Sequence, residues 1–372
     1  MSYVSIDQLQ GALSTTVFKH AKDAKKAAGR TLGTVVEIIA YYLSREWGLT
    51  DHILIERPLP EYGNDMISHN VEFSFHPVKQ VHSFMMTDER PLTSTKLLRY
   101  VKPVIPDGVF KKPNTLITTD GLLRNACVIG EDDQFIYMMN IDDKNKGMMN
   151  LAHLYKAPFA MVECKRVGIE DGCKKGPQTI EKAKQGAYVA RTTSSLQKVR
   201  DKDGSVYGVI YDNDKPIIKP YSALLDEIVS HRNDLLKDFI LSVGVVSNHG
   251  NWFSQEDQNK ELKVLAQSYD WLLFLSDGGL AQFISDLLLN PNRRFSAVRD
   301  AFISSYQEGK KKNVFTKTKI DYKAHQVLAE YFRNNIKNIE GWFNVITPQG
   351  SDIDALKQML YSLKSKNWEE IL

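Results

Sequence analysis

Apolar and polar residues repeat along this chain with two different periods, and the period changes from one part of the sequence to the next. The clearest helical segment runs from Thr31 to Trp47, between Gly29 and Gly48. Its apolar residues occupy almost every face. A helix with this pattern should be largely buried against other parts of the protein.

Short apolar runs typical of strands follow between residues 101 and 212. They are Thr115 to Thr118, Leu122 to Leu123, Ala126 to Ile129, Phe135 to Met139, Phe159 to Lys165 and Val206 to Ile210. Before the last of these runs, the segment from Gln178 to about Lys198 has the helical period. The order strand, helix, strand predicts a mixed central sheet flanked by helices.

Beyond about Ser222 the helical period dominates. Helices are predicted over Leu224 to Leu241, Glu261 to Leu275, Leu280 to Leu289, Phe295 to Tyr306, Lys323 to Trp342 and Asp352 to Leu363. We therefore expect an α/β (α+β) protein with a strand-rich region at 1–235 and a mainly helical region at 236–372. One continuous domain with a helical flank is the alternative.

The run from Phe159 to Lys165 ends in an acid and a base, Glu163 and Lys165. In an extended chain these two side chains project from one face, while Val162 and Cys164 project from the other. Ionised groups at the end of an apolar strand need partners, because isolated charges are costly away from water. A divalent cation and a phosphate would be suitable partners.

A third ionisable residue occurs in the predicted buried helix. Arg30, Gly33 and Glu37 are spaced so that they gather on one face. Glu37 is therefore a candidate for a buried acid, and a surface glutamate at the edge of an amphipathic helix is the alternative.

Two Asp-Gly turns could bring a further carboxylate to the edge of the sheet. Asp120 lies between two strand-like runs, whereas Asp107 follows a proline but has no such flanks. We favour Asp120 and keep Asp107 as the alternative. Mg²⁺ takes oxygen ligands and commonly only one or two protein carboxylates, so one aspartate and Glu163 would suffice.

Composition excludes several classes of protein. The chain has 372 residues, 42% hydrophobic and 25% charged, which argues against a disordered or fibrous protein. Three cysteines without a CxxC pair support neither a disulfide framework nor a structural zinc site. No basic leader and no apolar run near the ~20 residues of a membrane span occur, so a cytoplasmic protein is expected.

The net charge is only +3, yet positive charge is concentrated in two windows. Residues 151–200 contain ten Lys and Arg against four Asp and Glu, and residues 293–323 contain nine against three. Two basic surfaces on a nearly neutral protein would suit a polyanion such as DNA. Solvated surface charge is the alternative for each window.

Together these residues resemble the PD-(D/E)xK nuclease superfamily, and most closely its type II restriction endonucleases. The resemblance rests on an Asp-Gly turn, the strand ending in Glu163-Cys164-Lys165, and a following helix with Gln185 and, one turn later, Tyr188. The face formed by Arg30, Gly33 and Glu37 is similar to a helix that adds a glutamate to such active sites. The resemblance covers roughly residues 30–212.

Membership would imply a restriction-endonuclease-like core and a Mg²⁺-dependent, sequence-specific endonuclease that leaves 5′-phosphate and 3′-hydroxyl ends on double-stranded DNA. Asp120, Glu163 and the Cys164 carbonyl would bind the metal, Lys165 would lie near the attacking water, and Glu37 and Gln185 would complete the site. Candidate DNA-binding residues are Arg30, Arg166, Lys174, Lys175, Lys182, Arg191, Arg293 and Arg294.

A symmetric target would imply a homodimer, and a cognate DNA methyltransferase would be a separate protein. Two alternatives stay open at this point. One is a repair, recombination or transposition nuclease with the same core, and the other is a DNA-binding protein without catalysis.

Overall fold

The computed structural model describes residues 6–19, 21–59, 70–87, 89–145, 147–168, 183–249, 260–289, 292–306 and 313–372. Its strands are β1 (Ile53–Arg57), β2 (Val71–Phe75), β3 (Val78–Met85), β4 (Leu92–Thr93), β5 (Thr115–Ile117), β6 (Leu122–Arg124), β7 (Cys127–Glu131), β8 (Phe135–Ile141), β9 (Met148–Tyr155), β10 (Ala160–Gly168), β11 (Gln197–Arg200), β12 (Val206–Asp212), β13 (Lys215–Pro220), β14 (Leu241–His249), β15 (Trp271–Leu275), β16 (Lys319–Asp321) and β17 (Phe343–Thr347).

The helices of the described residues surround these strands. They are α1 (Ile6–Thr16), α2 (Ala24–Ser44), α3 (Ser94–Val101), α4 (Gln185–Thr193), α5 (Tyr221–His231), α6 (Asn233–Leu236), α7 (Lys260–Ser268), α8 (Asp277–Ile284), α9 (Ser296–Tyr306), α10 (Tyr322–Glu340), α11 (Ile353–Lys364) and α12 (Trp368–Ile371). Single π-helical turns, Arg45–Leu49 and Ser285–Leu289, continue α2 and α8. None of the described helices is long and apolar enough to cross a membrane.

A six-stranded mixed sheet in the order β1-β2-β10-β14-β15-β17 forms the centre of the protein. β10, β14 and β15 run parallel, and the other neighbouring strands pair antiparallel. The parallel strands are largely buried, as expected for strands covered on both faces. α2 shares the main core with one face, and α4 and α7 cover the other.

Three smaller sheets extend from this centre. Their orders are β3-β9-β8-β7, β16-β6-β5-β4 and β11-β12-β13. The second of them joins residues that are far apart in sequence, since β16 pairs with β6. That pairing brings a segment of the C-terminal half beside the N-terminal half.

The mixed α/β architecture and the strands between residues 115 and 165 confirm the coarse fold prediction. The division at residue 235 is wrong, because β14, β15 and β17 belong to the same sheet as β1, β2 and β10. Residues 236–372 are mainly helical in their described part, as predicted, but strands of the central sheet lie among the helices. β15 is a continuous apolar run, Trp271-Leu272-Leu273-Phe274-Leu275, and such a run has no period that distinguishes a buried strand from a buried helix.

Candidate active site

Glu163 and Lys165 lie on the same side of β10, as the strand period predicts. Nζ of Lys165 lies 2.9 Å from Oε1 of Glu163. Val162 and Cys164, which alternate with them along the strand, join the core on the α2 side. The strand therefore holds one acid and one base together at the border of the apolar core.

The acid beside Glu163 is Glu72 of β2. The β2–β10 ladder ends at the pair formed by Val162 and Phe73, so the next opposite pair is Glu163 and Glu72. There the side chains replace the ladder bonds: the Glu72 N–H donates to Oε2 of Glu163 (3.1 Å), and the Cys164 N–H donates to Oε2 of Glu72 (2.6 Å). Two carboxylates thus occupy the place where the strands separate.

A third glutamate continues this row across the sheet. Glu56 of β1 lies opposite Glu72, between the paired residues Ile55 and Arg57. Like charges directly opposite each other destabilise a sheet, so a row of three carboxylates requires cations. We call Glu56, Glu72 and Glu163 the glutamate row.

Two lysines supply positive charge between the members of the glutamate row. Nζ of Lys165 lies 2.9 Å from Glu163 and 3.4 Å from Oε1 of Glu72. Nζ of Lys317 lies 3.3 Å from Glu56 and 3.3 Å from Oε1 of Glu72. Each ammonium therefore bridges two neighbouring carboxylates.

Glu37 of α2 approaches the glutamate row from outside the sheet. Its Oε2 lies 3.3 Å from Nζ of Lys317. Burial, and then the charge of Glu72, raise the pKa of Glu37 to about 7, and Lys317 only partly opposes them. The two lysines thus leave the carboxylates short of positive charge.

The pKa values of Glu163 and Lys165 are also shifted. Burial, and then the charge of Glu72, raise the pKa of Glu163 above its usual value. Burial alone would lower the pKa of Lys165, but Glu72 and Glu163 outweigh it and raise that pKa. Lys165 is therefore a stable cation in this arrangement.

Helix α4 sets the position of Glu163 from the other side. A Cβ atom added to Gly186 would lie 2.9 Å from Cβ of Glu163 and 2.8 Å from Cε of Met161. Only a glycine allows the helix to lie this close to β10. The preceding residue, Gln185, is exposed at the first position of α4, and Tyr188 is 46% exposed.

The predicted aspartates do not supply the acid next to Glu163. Asp120 lies in the exposed turn between β5 and β6, where it accepts a hydrogen bond from Thr118, and Asp107 is also exposed. That turn lies at the end of the β6–β16 ladder, next to Asp321, whereas Lys317 lies near the opposite end. Asp120 is therefore replaced by Glu72 as the predicted metal ligand.

The predicted DNA-binding residues lie in several different environments. Arg166 is turned inward, and its guanidinium donates to the carbonyls of Gly29 and Asn248. It therefore ties β10 to α2 and β14 rather than presenting its charge to a ligand. Arg30 is exposed on α2, two helical turns, or about 10 Å, from Glu37.

The other predicted DNA contacts are remote or outside the described part of the chain. Arg293 and Arg294 are exposed in a short 3₁₀ turn, and Arg294 pairs with Glu330. Lys174, Lys175 and Lys182 lie outside the described residues. Arg191 belongs to α4, but its side chain is not among those described.

Glu56, Glu72 and Lys317 were missed by the sequence analysis. One signal for Glu72 is present: it is a single acid in an otherwise apolar and aromatic strand, Val71-Glu72-Phe73-Ser74-Phe75. Lys317 has no such signal, since it lies among other lysines in a polar segment.

A cleft in another part of the described structure lacks the grouping of carboxylates and lysines found at the glutamate row. It has a volume of about 590 Å³ and lies between β11, β12, α7 and β17, with Lys198, Arg200 and Lys263 in its walls. Its one acid, Asp270, accepts hydrogen bonds from Tyr221 and Ser242. The glutamate row is the better candidate for an active site.

Within the described residues, no three His, Cys, Asp or Glu side chains already form a metal-binding cage. The chain matches no family model, no curated protein and no solved structure. The arguments for function are therefore those of the site's own geometry.

Proposed function

We propose that this protein is a Mg²⁺-dependent endonuclease that hydrolyses phosphodiester bonds in double-stranded DNA. The observation that carries the proposal is the grouping of Glu72, Glu163 and Lys165 at the point where β2 and β10 separate. Paired carboxylates with an adjacent lysine suit phosphate hydrolysis, which needs a metal-binding edge and a nearby positive charge.

The donor atoms at this point suit Mg²⁺. Glu72 and Glu163 offer carboxylate oxygens, and Mg²⁺ needs only one or two of these because phosphate and water fill its other positions. The Cys164 N–H points toward β2 and donates to Glu72. In an extended strand the carbonyl of the same residue points to the same edge, so the Cys164 carbonyl also faces β2. When bound, Mg²⁺ polarises the phosphate and lowers the pKa of a coordinated water.

The charge balance supports a cation at this point. Four carboxylates, those of Glu37, Glu56, Glu72 and Glu163, are opposed by the ammonium groups of Lys165 and Lys317. Two negative charges are left over, and the raised pKa of Glu37 is consistent with that excess. One divalent cation would balance it.

The residues of the chain would then have separate tasks. Lys165 keeps positive charge beside the phosphate and orients the attacking water, for which its compact, flexible ammonium is well suited. Glu37 is the accessory acid, and α4 with Gly186 keeps Glu163 against the sheet. Gln185 is exposed at the start of the same helix and would contact phosphate or DNA.

We further propose that α2, β1, β2, β10, α4 and β14 form a restriction-endonuclease-like core of the PD-(D/E)xK type. In this core Glu72 takes the place of the expected aspartate, and Val71 precedes it where the family motif has proline. A type II enzyme acting on a symmetric sequence would work as a homodimer, paired with a separate DNA methyltransferase.

The test is incubation of the purified full-length chain with a long DNA and Mg²⁺, followed by sequencing of the fragment ends. Discrete sites with 5′-phosphate and 3′-hydroxyl ends would support the restriction type. Random ends would support a repair or recombination nuclease, and intact DNA that is nevertheless bound would indicate a non-catalytic DNA-binding protein.

Lys165→Ala is the variant that tests the active site. Loss of this charge should lower the cleavage rate by about 10²–10³-fold, the usual cost of losing one electrostatic donor, while DNA binding persists. Lys215→Ala changes an exposed lysine of the β12–β13 hairpin and is the matched control. Cleavage that survives Lys165→Ala unchanged would refute the assignment.

A further inference from the structure

We propose that the ammonium group of Lys317 is a built-in cation of the glutamate row, so that the site takes one divalent cation, at Glu72 and Glu163, and not two. This inference rests on the proposed function and concerns the number of metal ions. It assigns Lys317 as a positioning residue for Glu72.

The geometry around Lys317 is that of a cation position. Its Nζ lies 3.3 Å from a carboxylate oxygen of each of Glu37, Glu56 and Glu72. These acids come from α2, β1 and β2, so three separate elements converge on one point. This convergence indicates that the three carboxylates require the positive charge of the Lys317 ammonium.

The Lys317 side chain is only 7% exposed. Lysine is almost never buried to this degree unless it is paired. Its ammonium also lies 5.9 Å from the centre of the Phe73 ring, which adds a weak cation–π attraction. Burial would lower the pKa of Lys317, but Glu72 and then Glu37 outweigh burial and raise that pKa, so the charge persists at neutral pH.

The backbone of Glu56 gives independent support. Glu56 has φ = +51°, a left-handed conformation that is unfavourable for residues with a Cβ and here occurs inside β1. Such strain persists where the surroundings over-determine a conformation. In this conformation the Glu56 carboxylate lies 3.3 Å from Nζ of Lys317.

The Lys317 main chain is held firmly from both sides. Nδ2 of Asn125 donates to the Lys317 carbonyl (2.8 Å), and the Asn125 N–H donates to the Thr318 carbonyl (2.9 Å). The Thr316 N–H donates to the Lys319 carbonyl (2.8 Å), which closes a tight turn around Lys317. The Lys317 ammonium is therefore held at a fixed point and, unlike a bound metal ion, cannot dissociate.

The consequence is a division of the acidic cluster into two positions. Lys317 takes the one formed by Glu37, Glu56 and Glu72. The other, between Glu72 and Glu163, holds the Lys165 ammonium, whose side chain is 29% exposed and can move aside for a divalent cation. Removing the Lys317 charge should turn the first position into a second metal site, since three carboxylates would then converge with no cation between them.

The experiment counts Mn²⁺ ions bound to the full-length chain without DNA, by calorimetric titration and by the loss of the free Mn²⁺ electron paramagnetic resonance signal. The wild-type chain should bind one Mn²⁺. Lys317→Met, which keeps the length of the side chain but not its charge, should bind two. Lys317→Arg, which keeps the charge, should bind one.

Lys319→Met is the matched control, because it removes a lysine two residues away in β16 and should leave the count at one. Lys317→Gln is a second neutral variant that preserves the test should Lys317→Met not fold, and it too should bind two ions. Circular dichroism and urea unfolding establish that each variant is folded.

Two ions on the wild-type chain, or one ion on every folded neutral variant of Lys317, would overturn the inference. If the wild-type chain also cleaves DNA, the proposed function survives that result. A wild-type chain that binds no Mn²⁺ and cleaves no DNA overturns the proposed function itself.

Discussion

Glu72 has a carboxylate neighbour on each side, Glu56 on β1 and Glu163 on β10. An acid in this position is costly unless cations separate it from its neighbours. The two carboxylate oxygens of Glu72 have different partners. Oε2 accepts a hydrogen bond from the Cys164 N–H, and Oε1 faces the ammonium groups of Lys165 and Lys317. Glu72 is thus the residue on which the charges of the site converge.

Glu72→Gln should abolish Mg²⁺-dependent cleavage, because the neutral amide is a poor ligand for Mg²⁺. The cleavage rate should fall by at least about 10²-fold. Asp120→Asn should cleave within about twofold of wild type, since Asp120 lies in a turn of another sheet. The measurement is the initial rate of plasmid cleavage with equal amounts of folded protein, and the reverse ranking would restore Asp120 as the ligand.

Glu37 makes the stability of the metal-free protein depend on pH. Its pKa is about 7 in the folded chain and near 4.5 when unfolded, so the folded state binds more protons between pH 4.5 and 7. The free energy of unfolding that this carboxyl contributes therefore falls as the pH rises through that window.

Glu37→Gln removes this pH-dependent contribution to the free energy of unfolding, because the amide cannot ionise. Relative to wild type, the variant should gain about 3 kcal/mol in free energy of unfolding between pH 4.5 and 8, in EDTA. Urea unfolding at several pH values measures the difference. A difference that stays constant across this range would show that Glu37 does not titrate near neutrality.

At the scale of elements, the site depends on two strands that separate and one helix that approaches closely. The β2–β10 ladder stops where the glutamates begin, and side-chain oxygens satisfy the freed N–H groups. Opposite this gap, Gly186 lets α4 lie directly against Glu163. Gly186 and the end of the β2–β10 ladder together determine the position of the Glu163 carboxylate.

Gly186→Ala should disturb Glu163. The helical preference of alanine over glycine favours the change by about 0.5–1 kcal/mol, but a Cβ inserted at 2.9 Å from the Glu163 Cβ costs about 1–3 kcal/mol. The steric cost exceeds the gain in helical preference, because the Glu163 Cβ belongs to a central strand and cannot move aside. We expect a net loss of stability and a cleavage rate at least about tenfold lower.

Gly11→Ala in α1 is the control, since nothing lies within 4 Å of a Cβ added there. It should raise the free energy of unfolding by about 0.5–1 kcal/mol and leave cleavage unchanged. Urea unfolding and plasmid cleavage measure both variants. Equal effects of the two changes would show that the packing against Glu163 is not critical.

At the scale of the whole molecule, N-terminal and C-terminal segments are joined at several points. The central sheet contains strands from residues 53 to 347. Nε1 of Trp47 donates to Glu340 (2.9 Å), and Nζ of Lys364 donates to the Gly48 carbonyl (2.9 Å). The candidate site is divided in the same way, since Lys317 contacts Glu37, Glu56 and Glu72 of the N-terminal part.

A buried polar network contributes to this joining. Arg45, at the end of α2, donates to Asp143 between β8 and β9 (2.6 Å), and Nε2 of His325 in α10 donates to the same carboxylate (2.9 Å). Nδ1 of His325 accepts the hydroxyl of Tyr42 (2.8 Å). Burial lowers the pKa of His325, so the ring is neutral and this direction of bonding is consistent.

Asp143→Ala should destabilise the whole protein, because it leaves the buried Arg45 guanidinium without its carboxylate. The expected loss is about 3–5 kcal/mol in free energy of unfolding. Asp354→Ala removes the exposed partner of Lys337 and should cost less than about 1 kcal/mol. Urea unfolding compares the two, and a small effect at Asp143 would show that the network is dispensable.

The sequence was sufficient for features that depend on local periods. Alternation along one strand put Glu163 and Lys165 on one side, and the helical period put Glu37 on a largely buried helix. The Asp-Gly turn at Asp120 was a misleading signal, because a turn that leads into a strand says nothing about which sheet that strand joins.

The acid beside Glu163 and the second lysine required the folded chain. Glu72 meets Glu163 across 91 residues through strand register, and Lys317 reaches the glutamate row through the pairing of β16 with β6. Strand register and sheet order arise from long-range packing, which leaves no period in the sequence. The sequence alone therefore identified Glu37, Glu163 and Lys165, whereas Glu56, Glu72 and Lys317 were identified only from their grouping in the fold.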